Sequence, residues 1–306
     1  MNKVIVIAGP TATGKTALSV RLAKELGGEI ISADSVQIYQ DLNIGSAKPT
    51  IDEMQGIPHH LMDFLPAGAS FSVAEFCDRA KEAITDIHKR GKTAIVTGGT
   101  GLYISSLVDN VCFLEAQTDE NLRKSLAEEL ARVGKDAMHE KLAKIDKPAA
   151  DAIHPNNTKR VLRALEVFYS TGMTMTEQNA GSKTAKSPFD FVLCALSCDR
   201  EILYDRINKR VDNMVEAGLF DEVNNLLARG IDRNCQSMQG IGYKEVVAHL
   251  LGEMDKDACI EKIKQNSRNY AKRQLTWFRR GDYRWYDCTA PDLYETVFGD
   301  IGEKQL

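Results

Sequence analysis

Residues 9–16 constrain this chain more than any other segment, because they match the phosphate-loop pattern GxxxxGK[ST] in full. The segment follows an apolar run at 3–8 and precedes a helical pattern at 15–26, which is the context that the pattern requires. Glycines let backbone N–H groups surround an anion, and the N-terminus of the helix adds its positive dipole. The segment therefore predicts a phosphate or diphosphate site, and it leaves open whether the ligand is a nucleotide. The predicted ligand-binding residues are Gly9, Pro10, Thr11, Ala12, Thr13, Gly14, Lys15 and Thr16.

Three polar side chains near this loop are candidates for chemistry. Lys15 offers a point charge to a terminal phosphate, and the Thr16 hydroxyl can bind Mg²⁺. Asp34 follows the second predicted strand, and ligands of open parallel sheets lie beyond the carboxyl ends of the strands. Asp34 is thus a candidate base, magnesium ligand or substrate anchor, with a turn cap as the structural alternative. The strand at 93–97 ends in Gly-Gly-Thr and lacks the magnesium-associated Asp typical of P-loop ATPases, which weakens the NTPase interpretation.

The alternation of patterns predicts an α/β fold with a three-layer parallel sheet. Short β-branched runs are separated by amphipathic helical segments, and Ser72 with Glu75 forms a capping-box pattern at the start of one helix. The predicted strands are 3–8, 29–33, 93–97, 191–197 and 285–288. The predicted helices outside the central region are 15–26, 72–90, 201–217, 219–229, 243–251 and 257–280.

The central region shows only helical periodicity until the sheet resumes at 191–197. A polar connector at 179–188 precedes that return. We therefore predict a P-loop core made of 1–114 and 189–306, with a helical insertion at 115–188.

Composition limits the function classes. There are 39 basic and 43 acidic residues, so a uniformly basic nucleic-acid-binding surface is excluded, although a local basic patch is not. The seven cysteines are scattered without a CxxC motif, which indicates reduced thiols and no disulfide or zinc framework. The N-terminal apolar run is far shorter than a membrane span, so we expect a cytoplasmic protein without membrane contact. No feature suggests an obligate oligomer, and a monomer is expected.

A local basic patch is present near the C-terminus. Segment 262–284, which the pattern predicts to be a helix, holds eight basic residues against the single acidic residue Asp282. Aromatic residues are interleaved with them, and this combination favours binding of a polyanion with exposed bases. A place in the core is the alternative for Trp277 and Phe278. The basic residues are Lys262, Lys264, Arg268, Lys272, Arg273, Arg279, Arg280 and Arg284, and smaller clusters are Lys159, Arg160 and Arg163 in the insertion and Arg206 and Arg210 on one predicted helix face.

Nine blocks in order along nearly the whole chain resemble the tRNA dimethylallyltransferase family, also called tRNA isopentenyltransferases. Any one block is weak, whereas the ordered set, with its unusual KRQLTWFR helix, is highly specific. The absence of a C-terminal Cys/His zinc finger resembles the shorter bacterial form. The blocks are GPTATGKT (9–16), DSVQIY (34–39), GSAKPT (45–50), HHLMD (59–63), GGTGLY (98–103), NNTKRVLRALEV (156–167), RINKRVDNMVEAGL (206–219), QGIGYKE (239–245) and YAKRQLTWFRR (270–280).

The resemblance implies transfer of a dimethylallyl group from its diphosphate to N6 of an adenine next to the tRNA anticodon. It implies that the phosphate loop binds the diphosphate with Mg²⁺ on Thr16, that Arg210 stabilises the leaving group, and that Asp34 is the general base. The adenine must leave its stack to enter a closed pocket, and the insertion would clamp the anticodon loop. The implied catalytic residues are Asp34, Thr16, Lys15 and Arg210, and the implied tRNA-binding residues are Asp34, Ser35, Val36, Gln37, Thr100, Arg123, Lys159, Arg160, Val161, Leu162, Arg163, Lys272, Arg273, Gln274, Trp277 and Arg279.

Three other functions share parts of this pattern. A P-loop kinase of small metabolites would have the phosphate loop and an Asp after the second strand, but it would not explain the basic helix or the insertion. A prenyltransferase acting on free adenine nucleotides would have less need of the basic clusters. A non-catalytic RNA-binding protein would not need Lys15, Thr16 and Asp34 together.

Overall fold

The computed structural model describes residues 3–113, 120–181 and 186–303, and its framework is a parallel β-sheet. Within these residues the strands pair in the order β3-β2-β4-β1-β5-β6, and every pair is parallel. The predicted α/β class is therefore confirmed. The strands are β1 Lys3–Ala8, β2 Gly28–Ser32, β3 His59–His60, β4 Thr93–Gly98, β5 Asp190–Ser197 and β6 Arg284–Asp287.

Helices cover both faces of this sheet and form the central region. The helices are α1 Lys15–Glu25, α2 Ile51–Met54, α3 Val73–Lys89, α4 Gly101–Val108, α5 Glu120–Ile145, α6 Lys147–Ala152, α7 Thr158–Thr171, α8 Met175–Gly181, α9 Arg200–Glu216, α10 Leu219–Ala228, α11 Tyr243–Leu250, α12 Lys256–Phe278 and α13 Leu293–Glu303. None of the helices in the described residues combines the length and the hydropathy needed to cross a bilayer.

Local sequence explains why these elements form. Strand β1 is buried from Val4 onward, as expected for a central strand with helices on both faces. Helix α3 begins with the predicted capping box, in which the Glu75 N–H donates to Ser72 Oγ (3.2 Å) and the Ser72 N–H donates to the Glu75 carboxylate (2.8 Å). Strand β3 was not predicted, because two residues at a sheet edge carry no readable periodicity.

Two sequence predictions need correction. The basic segment predicted as helix to 284 leaves the helix at Phe278, close to the end predicted at 280, and Arg284 lies on β6. A turn follows the helix, in which the N–H groups of Arg280 and Gly281 donate to the carbonyls of Trp277 and Phe278 (3.1 and 3.2 Å). The first residues of the connector at 179–188 belong to α8, and 182–185 lie outside the described residues.

The chain divides into two compact units, one of Met1–Val108 with Ser187–Leu306 and the other of Asp109–Lys186. The divisions that the sequence predicts, at 114/115 and 188/189, lie a few residues later, and the first falls at the start of 114–119, which lie outside the described residues. The second unit is helical, with a kink in α5 at Gly134 (φ 83°) and a core that includes Leu126, Met138, Leu142 and Leu165.

Candidate functional site

The candidate site is a cavity of about 390 Å³ in the first unit, at the carboxyl edge of the sheet. The phosphate loop follows β1, Asp34 follows β2, and Gly99 and Thr100 follow β4, so parallel pairing brings these three segments together. The residues that line the cavity are Thr11, Lys15, Thr16, Asp34, Ser35, Val36, Gln37, Gly45, Ser46, Ala47, Thr97, Gly98, Gly99, Ile207, Arg210, Val211, Met214, Gln239, Gly240, Ile241, Lys244, Ile263, Ser267, Tyr270, Arg273 and Gln274.

The phosphate loop has the conformation that its glycines predict. Gly9 has φ +139°, and a Cβ there would lie 2.6 Å from the carbonyl oxygen of Leu196, so only glycine fits. Gly14 has φ 79° and precedes the first turn of α1, whose N–H groups are available to an anion. Within the loop, Thr13 Oγ1 and Lys15 Nζ donate to the carbonyl of Pro10 (2.8 and 2.7 Å).

The cavity concentrates positive charge that lacks full compensation. Burial, and after it the charge of Arg210, lower the pKa of Lys15 to about 7, against the opposing effects of Asp34 and the Cys288 thiol. Burial also lowers the pKa of Arg210, against the opposing effect of the Asp34 and Glu53 carboxylates. Two desolvated cations that repel each other favour the binding of an anion between them. A diphosphate has the charge to stabilise both.

Asp34 has the turn-capping contacts that we gave as the alternative to a chemical role, and it also lines the cavity. Its Oδ1 accepts the N–H groups of Val36 (2.9 Å) and Gln37 (3.3 Å). The next residue is fixed from β4, because the Ser35 N–H donates to Thr100 Oγ1 (3.1 Å). The capping therefore immobilises the carboxylate at the cavity wall, which is what a positioned base requires.

The structure gives Gln274 contacts within the protein. This side chain is buried, its Oε1 accepts the Thr11 N–H (3.1 Å) and its Nε2 donates to the Gly99 carbonyl (2.9 Å). Both ends of the amide therefore join the phosphate loop to the loop after β4, and the tRNA contact of Gln274 stays a prediction.

Tyr270 was missed as a site residue, although it stood among the aromatic residues of the basic segment. Burial, followed by the charge of Asp34, raises the pKa of its hydroxyl to about 12, while hydrogen bonds with Thr100 and Gln274 act the other way. The guanidinium of Arg273 lies 5.6 Å from the centre of its ring. Tyr270 thus places a neutral hydroxyl beside Asp34, and the KRQ block was the sequence signal for this wall.

The apolar part of the cavity was also not predicted. Ile207, Val211 and Met214 recur at helical spacing on α9, on the face that also carries Arg210, and Ile263 of α12 completes this patch. A ligand with a compact hydrocarbon group next to an anion could place the hydrocarbon against this patch and the anion against Lys15 and Arg210.

The other residues of the predicted basic groups have different surroundings in the structure. Arg206 donates to the Cys288 sulfur (3.2 Å), whereas Arg210, one turn later, lines the cavity. On α12, Lys272, Arg273 and Arg279 are exposed. Trp277 is half-buried against α4, where a Cβ at Gly101 would lie 2.5 Å from its indole.

The predicted tRNA-binding residues of the second unit fall into two groups. Arg123 and Arg163 both bind the buried carboxylate of Glu166 (2.6 and 3.0 Å), and their side chains remain about half exposed. Val161 is only 1% exposed and belongs to the core of this unit, so its predicted tRNA contact is corrected on grounds of burial. Lys159 and Arg160 are exposed, and Leu162 is half-buried.

The described residues offer no cluster of acidic, histidine or cysteine side chains for a metal ion. Across the described parts of the chain, no group of three or more His, Cys, Asp or Glu side chains is arranged to hold a metal ion. A cation here would need ligands from the Thr16 hydroxyl, from water and from a bound diphosphate, which is a common arrangement for Mg²⁺.

Comparison with known proteins gives consistent matches along the chain. The family model of IPP transferase matches residues 37–281. The chain is 50% identical over 311 residues to the tRNA dimethylallyltransferase of Halalkalibacterium halodurans, covering 99% of both chains, and 47% identical over 289 residues to that of Bacillus subtilis, covering 94% and 91%.

Solved structures give the same match at the level of fold. The full-length tRNA isopentenylpyrophosphate transferase of Bacillus halodurans has a TM-score of 0.75 and 45% identity, with 99% of this chain and 97% of that chain covered. A eukaryotic dimethylallyltransferase acting on tRNA has a TM-score of 0.80 and 33% identity, with 99% and 78% covered.

Proposed function

The chain belongs to the IPP transferase family, and from that membership we propose that it transfers a dimethylallyl group from dimethylallyl diphosphate to N6 of the adenine next to the anticodon in tRNA. Its near full-length relatives are named tRNA dimethylallyltransferases, which supports tRNA as the acceptor. The single observation that carries the proposal is one cavity that joins the phosphate loop and Arg210 to Asp34 through an apolar α9 face.

The donor diphosphate binds at the phosphate loop. Backbone N–H groups at the start of α1 surround it, and Lys15 and Arg210 neutralise its charge. The dimethylallyl group lies along α9 against Val211 and Met214. The desolvated cations favour this ligand because its negative charge stabilises them where burial has removed the stabilising water.

Mg²⁺ fits this site as a partner of the diphosphate. Thr16 Oγ1 would hold it together with phosphate oxygens and water, as in other phosphate loops. When bound, the ion supplies further neutralisation of the charge that develops on the leaving diphosphate.

The reaction forms one bond and breaks another. N6 of the adenine attacks the C1 carbon of the donor, the C1–O bond to the diphosphate breaks, and the N6 proton passes to the Asp34 carboxylate. Lys15 and Arg210 stabilise the departing diphosphate at the moment when its charge is greatest. Ser35 and Gln37, which share the turn fixed by Asp34, contact the same adenine.

The tRNA binds through exposed cations of both units. Lys272 and Arg273 on α12 contact phosphates of the anticodon stem, and Lys159, Arg160 and Arg163 on α7 contact the same nucleic acid. A target adenine would be extruded from its stack to reach the cavity that Asp34 lines. We further propose a monomeric, cytoplasmic enzyme.

The test compares donors and acceptors side by side. Purified protein with Mg²⁺ receives labelled dimethylallyl diphosphate with unmodified tRNA, with free adenine nucleotides, or with the same tRNA carrying guanine in place of the target adenine. A parallel set replaces the prenyl donor by labelled ATP and adds small metabolites. We expect label only in the tRNA that carries the adenine, and only from the prenyl donor.

Each competing function has its own signature in this test. Label in free nucleotides at a comparable rate would identify a nucleotide prenyltransferase. Phosphate transfer from ATP without prenylation would identify a kinase and make Asp34 a substrate anchor.

A further inference from the structure

Glu222, in the first turn of α10, binds two separate segments of the chain. Its Oε2 accepts the N–H groups of Asn43 and Ile44 (both 2.8 Å), and its Oε1 accepts the N–H of Gly45 (3.0 Å) and the hydroxyl of Tyr243 (2.8 Å). Four donors on one carboxylate form a charge-assisted set that a neutral side chain could not satisfy.

Both of these segments are walls of the catalytic cavity. The segment 43–47 contributes Gly45, Ser46 and Ala47 to its lining. The segment 239–244 contributes Gln239, Gly240, Ile241 and Lys244. The fully buried ring of Tyr243 lies between them, since a Cβ at Gly45 would be 2.6 Å from it and a Cβ at Gly240 would be 3.3 Å away. Glu222 therefore fixes the spacing of two walls without itself lining the cavity.

Hydrogen bonds connect the segment 43–47 to Asp34, the proposed base. The backbone carbonyls of Ser46 and Ala47 accept hydrogen bonds from Gln37 Nε2 (3.3 and 3.1 Å). The Gln37 N–H in turn donates to Asp34 Oδ1 (3.3 Å). A displacement of the 43–47 segment would therefore move the turn that holds Asp34.

The residues at the diphosphate end of the cavity are positioned by other elements. Lys15 and Thr16 are the first two residues of α1, and Arg210 lies on α9. None of these three side chains has Glu222 among its hydrogen-bond or ion-pair partners in the described part of the chain. Loss of Glu222 would thus act on the acceptor side of the cavity and spare the donor diphosphate.

We propose that Glu222 is a positioning residue for the acceptor adenine, acting through Tyr243 and the 43–47 segment. This inference rests on the proposed function. Catalytic geometry is sensitive to small displacements, because a shift of about 1 Å far from the chemistry can cost on the order of 10²-fold in rate.

Glu222→Gln tests the proposal, because it keeps the shape and removes the charge. At saturating donor we expect single-turnover prenyl transfer to fall at least 10-fold and the KM for tRNA to rise. The Kd of inorganic diphosphate, measured by calorimetry, should stay within twofold. Tyr243→Phe removes one of the four donors and should cause a smaller loss of the same kind, and Glu222→Asp should recover part of the rate.

Glu216→Gln is the matched control, because it removes an exposed carboxylate at the end of α9. It should behave as the unchanged protein in every measurement. The inference is overturned if Glu222→Gln transfers the prenyl group within twofold of the wild-type rate. It is also overturned if diphosphate binding and transfer fall together with the folded fraction. An inactive wild-type protein would instead overturn the proposed function, and the inference with it.

Discussion

At the residue scale, the charge state of Lys15 links donor binding to protons. Its pKa in the free protein is about 7, and a bound diphosphate would raise it by supplying the opposite charge. Below pH 7 the lysine is already protonated, whereas above pH 7 the protein must take up a proton to bind. We therefore expect diphosphate affinity to fall as the pH rises above 7, by at most about tenfold per unit.

Calorimetry in buffers of different ionisation enthalpy measures this uptake directly. At pH 8 the wild-type protein should take up close to one more proton per diphosphate than Lys15→Arg does, because arginine stays charged throughout. The difference between the two proteins cancels the ligand's own protonation. Equal uptake would mean that Lys15 is fully charged in the free protein.

Asp34 needs a test that separates its two roles. Asp34→Ala removes both the turn cap and the base, whereas Asp34→Asn keeps an oxygen that can accept the Val36 and Gln37 N–H groups but cannot take a proton. We expect both variants to lose 10² or more in single-turnover rate while tRNA binding survives. If Asp34→Asn retains the wild-type rate, Asp34 is only a cap.

The sequence identified those site residues whose signal is local. Lys15 and Thr16 belong to a contiguous pattern, and Asp34 stands directly after a strand. Glu222 and Gln274 act through contacts with residues more than a hundred positions away, and no spacing rule predicts such pairs. Val161 was misassigned because a basic cluster on a helix also contains the residue that faces the core.

At the element scale, α12 has two sides with different uses. Lys264 is held by Asp212 and Glu261 (2.8 and 3.3 Å) and is 16% exposed, whereas Lys272 and Arg273 are exposed. Neutralising Lys272 and Arg273 to glutamine should weaken tRNA binding and reduce the slope of log K against log salt by about 0.7–0.9 per lost phosphate contact.

Lys264→Gln is the control for this prediction, since it removes a positive charge from the same helix at a position already paired with carboxylates. Its salt slope should match that of the wild-type protein in a filter-binding series. An unchanged slope in the Lys272 and Arg273 variant would show that these residues touch no phosphate.

Elements with strong periodicity were predictable, and short ones were not. Strand β1 and helix α3 follow from apolar runs and a capping box. The end of α12 was misplaced because aromatic and basic residues continue past Phe278, while the reversal depends on Gly281, which packs against the Tyr283 ring. Strand β3 exists only because β2 offers it an edge to pair with.

At the scale of the whole molecule, the candidate site and a buried ionic cluster lie at opposite edges of the sheet in the first unit. The cavity lies at the carboxyl edge, whereas the buried carboxylate of Glu29 lies near the start of β2. Glu29 binds Arg90, Lys92 (2.6 Å) and His60 (2.7 Å). Arg90 directly follows α3, Lys92 directly precedes β4, and His60 belongs to β3. Acid sensitivity of the fold should therefore originate away from the reaction centre.

Hydrogen bonds from Arg90, the largest contribution, and from Lys92 and His60 hold the pKa of Glu29 far below its ordinary value of 4.5, although burial opposes them. A lowered folded-state pKa adds stability that is present above the unfolded pKa and is lost as the pH falls below about 4.5. Glu29→Gln should lower the Tm at pH 7 by about 5 °C, since it leaves the cations without their counter-charge. Its Tm should also fall less steeply than the wild-type Tm between pH 5 and pH 3.

The matched control is Asp86→Asn, which removes a carboxylate that binds the same Arg90 (2.8 Å) but is 64% exposed. Exposed pairs contribute little, so its Tm should stay within about 2 °C of the wild-type value. Thermal unfolding by circular dichroism from pH 3 to pH 7 gives all three curves. Parallel curves for Glu29→Gln and the wild-type protein would place the acid-sensitive group elsewhere. A shallower curve for Glu29→Gln, with diphosphate binding at pH 7 unchanged, would show that the amino end of the sheet sets acid stability independently of the catalytic edge.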